Sequence, residues 1–187
     1  MASEDLNGLS YVVLALIGRG GASPHELVRM GERGQRLHWA GAASKVYAEP
    51  KRLERLGYLH SERQPGKTRE RMYYMLTDKG LDALREWLLV PSVFPRIQNE
   101  AAMRVFASDL LPDPEAVVAS LRPLRDEIAE QAAILDESEQ RARTTLARRQ
   151  RQLLLVHGLG RRLLAALSDW IDDVEREFGA AERERDT

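Results

Sequence analysis

The chain contains no cysteine. That absence excludes a disulfide scaffold, a thiolate metal site and a cysteine nucleophile together. Aromatic residues make up only 6% of the sequence. No apolar run approaches the ~18 residues that a membrane span requires. The opening Met1-Ala2-Ser3-Glu4-Asp5 lacks the basic start and apolar stretch of a secretory signal. The expectation is therefore a cytoplasmic protein with no membrane partner. Net charge is nearly missing too, at −1 over 187 residues, whereas a hydrophobic content of 43% is enough to fill a core. Such a length accommodates one large domain or two small ones.

Catalytic signatures are also lacking. His25, His38, His60 and His157 have no H-E-x-x-H or similar ligand spacing. No G-x-S-x-G, Walker A or G-x-G-x-x-G motif occurs. Gly18-Arg19-Gly20-Gly21 is glycine-rich but follows an apolar helical pattern rather than a strand, which argues against a phosphate cradle. The expectation is a protein that is not an enzyme and holds neither metal nor cofactor.

What the chain does have is polarity along its length. Residues 1–90 carry 14 Lys/Arg against 11 Asp/Glu, and residues 91–187 carry 14 against 18. Within 44–74 the imbalance sharpens to eight basic residues against four acidic ones. One half is thereby suited to a polyanion.

Apolar spacing predicts a helix over 9–17 with Asn7 as cap, and a second over 24–32 with Ser23 as cap and Pro24 in its first turn. A loop is expected at 31–41, then a third helix over 42–56 stopped by Gly57. The period next switches to alternation. Strands are predicted at 58–63 and 71–76 around a Gln64-Pro65-Gly66-Lys67 turn, followed by a helix over 77–89 capped by Thr77. This order is the winged helix-turn-helix layout.

Pro91 and Pro95 mark a boundary, since neither permits a continuous helix. The expected domains are 1–90 and 91–187, the second wholly helical. Helices are predicted over 97–111, from Asp113-Pro114-Glu115 onward with a kink or restart at Pro123, and over 145–178. On the last, Leu146, Leu153, Val156, Gly160, Leu163, Leu167, Trp170 and Val174 follow steps of three and four apart from Arg149, which interrupts the first two, and Leu164, Ile171 and Phe178 flank them at sevens. Two apolar seams exceed what one partner helix needs, so the alternatives are a bundle core and a dimer interface. Leu153, Val156, Leu163, Leu167, Trp170 and Val174 are the interface candidates.

The third helix is the candidate DNA reader. Ala43, Val46, Tyr47, Pro50 and Leu53 form its expected inward stripe, leaving Ser44, Ala48, Lys51, Arg52 and Arg55 on the other face and Lys45 at its edge. Short side chains followed by cations suit entry into a major groove. On the hairpin, Lys67, Arg69 and Arg71 recur at every second position and so share one side of an extended backbone, ready for phosphates. Ser23 and His25 at the second helix's N-terminus are further phosphate candidates, with simple capping the alternative for Ser23.

These residues resemble a known family. The run Leu9-Ser10-Tyr11-Val12-Val13-Leu14-Ala15-Leu16-Ile17 is similar to the opening helix of the PadR family of bacterial transcriptional regulators. Ser23-Pro24-His25-Glu26-Leu27 stands where that family has a Gly-Tyr-Glu-Leu type sequence. Val46-Tyr47, Lys51-Arg52-Leu53-Glu54 and Leu56-Gly57-Tyr58-Leu59 fit its recognition-helix spacing, which implies a DNA-facing role for Tyr47 as well. Tyr74 through Gly80 is similar to its wing ending. The chain departs from the pattern at Ala48, where Pro is common, and at Pro50, where Leu is common; Pro50 predicts a kink or tightened turn.

The resemblance implies a homodimer whose C-terminal helices associate and hold two winged domains on a pseudo-palindromic operator in double-stranded DNA. It also implies a repressor relieved by a small aromatic effector. Trp87, Phe106 and Trp170 are the candidate lining residues in this sequence, with ordinary core packing the alternative. The competing expectation is a winged-helix protein-interaction module that never meets DNA, which leaves the wing cations without a task.

Overall fold

The computed structural model describes residues 5–32, 43–65, 70–95, 97–145 and 149–185. The chain divides into two compact units, Met1–Val93 and Phe94–Thr187. The first runs α1 (Gly8–Ile17), α2 (Pro24–Glu32), α3 (Ala43–Arg55), β1 (Leu59–Gln64), β2 (Arg71–Leu76) and α4 (Asp78–Leu88).

α1 starts where its free N–H groups find partners. Asn7 Oδ1 accepts from the Ser10 N–H at 3.1 Å, and the Asn7 N–H donates to Ser10 Oγ at 3.1 Å. The helix ends at Gly18 in a short 3-10 turn, Gly18–Gly20. Just beyond that turn lies a pairing with no signal in the sequence pattern. Ala22 exchanges both backbone hydrogen bonds with Tyr74, at 3.0 and 2.9 Å, and so adds a one-residue rung beside β2. Gly21 makes this approach feasible: its φ is +74°, and a Cβ there would run into the Tyr73 ring.

α3 passes through Pro50, where the sequence predicts a kink or tightened turn, as one α-helix from Ala43 to Arg55. The Pro50 ring is fully buried, so packing offsets the one backbone bond it removes. Tyr47 does not join the inward stripe; it is 61% exposed, and the buried side chains are Val46, Glu49, Pro50 and Leu53. The helix closes on Gly57 at φ +79°, where the Tyr58 N–H donates to the Leu53 carbonyl at 2.9 Å.

β1 and β2 form an antiparallel hairpin in a register from Leu59↔Leu76 to Gln64↔Arg71. Gln64 is thus a strand residue rather than the first turn residue, and 66–69 lie outside the described residues. Thr77 caps α4 by accepting from the Gly80 N–H at 3.1 Å, while its hydroxyl donates to the Gly57 carbonyl at 2.7 Å. Gly80 lies against the Tyr58 carbonyl so closely that a Cβ has no room. The Thr-x-x-Gly spacing therefore has two causes, a cap and a close approach.

Val13, Leu14, Leu27 and Leu53 are fully buried at the centre, with Tyr11, Ile17, Tyr58, Leu59, Tyr74 and Leu84 around them. Each such side chain contributes about 1.5–3 kcal/mol relative to exposure. Trp87 packs on this cluster, its ring stacked on Tyr11 at 5.1 Å between centroids and 6° between planes.

The second unit contains α5 (Glu100–Phe106), a 3-10 turn Ser108–Leu110, α6 (Ala116–Thr145) and α7 (Gln150–Arg185). The helix expected over 97–111 is therefore shorter, with no buried residue in α5. α6 continues through Pro123, which is exposed, instead of restarting there. The last helix begins at Gln150, and Leu146 lies outside the described residues. α6 buries Val117, Leu121, Ile128 and Leu135, and α7 buries His157, Gly160, Leu164, Ile171 and Val174. Recurrence at sevens on both helices is the seam of a coiled pair. Arg125 meets Asp172 at 2.6 Å and Glu175 at 3.1 Å, and Arg161 meets Asp136 at 2.6 Å and Glu139 at 2.9 Å. Early α6 thus faces late α7, an antiparallel pairing. Among the described residues no helix is long and apolar enough to cross a membrane.

Gly80→Ala should lower the melting temperature, because about 1–3 kcal/mol of overpacking outweighs the roughly 1 kcal/mol gain in helix propensity. Gly20→Ala is the control: a Cβ there meets nothing within 4 Å. Calorimetry on both variants checks this, and equal melting temperatures would refute the close-approach argument.

Candidate nucleic-acid interface

Ser23 begins α2 in the way its type favours, but its groups are already engaged. Its N–H donates to Glu26 Oε2 at 2.8 Å and its hydroxyl to the same oxygen at 2.9 Å. That backbone bond is the largest cause holding the Glu26 carboxyl below its ordinary value; partial burial opposes it, and the charges of Arg29 and Arg71 assist. The N-terminus of α2 therefore faces a carboxylate of its own. Ser23 is a buried cap rather than a phosphate ligand, whereas His25 is exposed.

α3 follows α2 and carries the predicted reader residues. Lys45, Ala48, Lys51 and Arg55 are all exposed and lie at steps of three, three and four, which places them on one face. Tyr47 is exposed beside them. None of the ion pairs among the described residues engages Lys45, Lys51 or Arg55. The side chain of Ser44 lies outside the described residues, as do Lys67 and Arg69. Arg71 is exposed at the base of the hairpin, and its charge reaches Glu26. Arg63 and Glu70 form an exposed pair at 3.6 Å.

Arg52 departs from the sequence expectation. Instead of joining the open face, its guanidinium turns toward α1. Nε lies 3.2 and 3.1 Å from the two Glu49 carboxylate oxygens, and Nη2 lies 2.8 Å from Glu49 Oε1 and 2.9 Å from Ser10 Oγ. Nη1 donates to the Asp5 carbonyl at 3.0 Å. Glu49, only 8% exposed, accepts a further bond from the Ser10 hydroxyl at 2.7 Å. Burial pushes the Glu49 carboxyl up, yet bonds from Arg52 and Ser10 and the charge of Arg52 outweigh it, and the net direction is down. The signal for this lay in the sequence as Glu49, three residues before Arg52 and so within reach, but only two before Lys51, a spacing at which helical side chains do not meet.

The aromatic effector candidates have separate surroundings. Trp87 is stacked on Tyr11, which gives it a packing role; Phe106 is 82% exposed, and Trp170 is half-buried on α7. The interface candidates on α7 also divide. Val156 and Leu163 are exposed at 46% and 37%, with Leu155 and Leu159 beside them at 68% and 50%. Leu153, Leu167 and Trp170 are half-buried. Val174, at 7%, belongs to the buried seam of its own unit and not to an open face. Among the described residues no group of His, Cys, Asp or Glu is arranged to hold a metal.

A helix-turn-helix with a hairpin wing, followed by an antiparallel helical unit, defines the class: a winged-helix fold with a helical second unit. The family described as "Virulence activator alpha C-term" matches residues 97–178. The negative transcriptional regulator PadR of Bacillus subtilis is 26% identical over 110 residues, covering 58% of this chain and 60% of that relative's length. The crystal structure of B. subtilis PadR in complex with operator DNA superposes with a TM-score of 0.75 at 19% identity, covering 92% of this chain and 99% of that one. The same protein in complex with p-coumaric acid gives 0.68 at 18%, covering 91% and 98%. The Vibrio cholerae virulence activator AphA gives 0.69 at 22%, covering 93% and 99%. At these identities the superpositions establish the fold. The second unit matches the family described as Virulence activator alpha C-term, and in sequence and fold the chain is similar to PadR.

Arg52→Ala should cost about 1–3 kcal/mol at neutral pH, the usual range for hydrogen bonds to a charged group in a partly solvated site. Lys51→Ala should leave stability unchanged. The Glu49 carboxyl is lowered in the folded state, so its contribution is present above the unfolded value of about 4.3 and lost as pH falls through the folded one. Urea titrations at neutral and acid pH check both points. The stability deficit of Arg52→Ala should shrink in acid; equal costs for Arg52 and Lys51 would refute the assignment.

Proposed function

We propose that the chain is a homodimeric, sequence-specific DNA-binding regulator of transcription that acts in the cytoplasm. Residues 1–90 bind DNA, and 91–187 dimerise and respond to effector. The observation that carries this is the outward row Lys45, Ala48, Lys51 and Arg55 on the second helix of a helix-turn-helix, with no acidic partner among the described residues. Alanine at the middle of the row lets the helix approach the base edges, while the cations on either side reach phosphates. Tyr47 adds an exposed ring with a polar tip beside them. Lys67, Arg69 and Arg71 grip the flanking backbone from the wing.

The dimer brings two such helices to successive major grooves, about 34 Å apart, on a pseudo-palindromic operator. The apolar row Val156, Leu159 and Leu163 supports self-association, because an amphipathic helix that has already filled its inner seam has no intrachain use for a second apolar face. Repression is the favoured direction, since the sequence relative is a negative regulator. A small aromatic acid is the favoured effector class, since B. subtilis PadR has been crystallised with p-coumaric acid; Phe106 and Trp170 are the aromatics available to it in the second unit.

Binding to a duplex from the protein's own upstream region, followed by fluorescence anisotropy across a salt series, tests the DNA reading. Lys51→Ala combined with Arg55→Ala should weaken all duplexes alike and flatten the salt slope by about two units. An unchanged slope would remove the reading face from the interface. Charge at the apolar row tests assembly separately: Leu159→Glu with Leu163→Glu should yield monomers by light scattering and lose operator affinity. A monomeric wild type would refute the dimer.

A further inference from the structure

Besides Ser44, whose side chain lies outside the described residues, spacing puts 48, 51, 52 and 55 on the outer face of α3 and 45 at its edge, and of these five all but one are exposed. The fifth, Arg52, has its Nε and both terminal nitrogens engaged by Glu49, Ser10 and the Asp5 carbonyl. Glu49 is the cause. It is a nearly buried carboxylate on a helix that, on the function proposed above, faces a polyanion, and it is held by Arg52 and the Ser10 hydroxyl. Retaining a negative charge there makes little sense as a general aid to DNA binding. It makes sense as a device that holds one cation away from phosphates.

We infer that Glu49 is a specificity-determining positioning residue: by clamping Arg52 against Ser10, it keeps that cation off the DNA backbone. This rests on the DNA-binding reading and deepens it. Binding to random sequence consists almost entirely of phosphate neutralisation, so every additional free cation strengthens attachment to all duplexes, right and wrong. Base-edge contacts carry the discrimination. Withdrawing Arg52 therefore lowers the non-specific background while leaving the readout by neighbouring positions intact. The clamp also ties the middle of α3 to α1, so the same bonds fix the rotation of the reading face.

The experiment uses the full-length chain and two labelled duplexes, one from its own upstream region and one of random sequence, with anisotropy measured across a salt series. Glu49→Gln preserves shape but removes the charge that holds the guanidinium. It should steepen the salt slope by about one unit and raise random-sequence affinity several-fold at low salt, so that the preference for the upstream duplex falls. Arg52→Gln alone should leave the wild-type slope unchanged. The double variant Glu49→Gln/Arg52→Gln should return the slope to the wild-type value, a reversal that mere destabilisation would not give.

A flatter slope for Arg52→Gln would overturn the inference, because Arg52 would then already be on a phosphate; an unaltered slope for a folded Glu49→Gln would do the same. Should Glu49→Gln fail to fold, Arg52→Gln decides alone. A wild type that binds neither duplex at any salt would instead sink the DNA-binding reading itself.

Discussion

A carboxylate placed inside the helix that carries the outward cations governs the first unit. Glu49 has to be satisfied because a nearly buried charge without partners costs several kcal/mol. Its partners come from two directions, Ser10 on α1 and Arg52 one turn further along α3. Satisfying it locks α3 against α1 at one rotation. That rotation decides which residues are buried and which are left outside: Val46, Pro50 and Leu53 go in, and Lys45, Ala48, Lys51 and Arg55 stay out. A purely apolar stripe would permit some rolling of a short helix, because hydrophobic contacts are not directional. A bidentate guanidinium–carboxylate pair is directional.

The second unit solves a different problem with the same chemistry. α6 and α7 are long, and an antiparallel pair of long helices can slip by one heptad at modest cost if only apolar seams define the register. Arg125 with Asp172 and Glu175, and Arg161 with Asp136 and Glu139, stand on opposite sides of the buried seam's midpoint and admit one alignment. These partly exposed pairs contribute little stability. Their use is in rejecting misaligned states, in which an Arg would face an apolar or like-charged neighbour. Register then fixes which α7 residues remain outside, and so where Leu155, Val156, Leu159 and Leu163 stand.

Most of this architecture is legible from periodicity and punctuation. Caps at Asn7, Ser23 and Thr77, the Gly57 stop and the shift from helical to alternating spacing are local signals, and local interactions produce them. The features that escape a sequence reading are decided by tertiary neighbours. The Ala22–Tyr74 rung joins residues more than fifty positions apart, and no pattern in a glycine-rich loop announces it. Pro50 and Pro123 each lack an N–H and so predict disturbed helices; one is fully buried and the other exposed, and both are accommodated. Helical position assigns Tyr47 inward, but the stripe has room for Glu49, whose charge requires the protein's own donors. Arg52 and Lys51 look alike as cations on one helix; the i,i+3 spacing to Glu49 and a contact 42 residues away in the chain separate them.

On the proposed function, that last distinction bears on how a nearly neutral protein would manage a polyanion. With a net charge of −1, overall attraction to DNA would be weak, and binding would depend on where cations are free rather than on how many exist. In the first unit, Arg52 answers Glu49, the charge of Arg71 is partly answered by Glu26, and Arg63 pairs with Glu70. Lys45, Lys51 and Arg55 remain unopposed among the described residues. A basic segment read from composition alone would count all of these cations toward affinity. The structure divides them into those that hold the protein together and those that are presented, and only the second group can exchange bulk counterions for phosphates. On the proposed function, affinity and discrimination are separately adjustable: substitutions at acids such as Glu49 would release or withdraw cations, while substitutions at Ala48 and Tyr47 would change what the presented face reads.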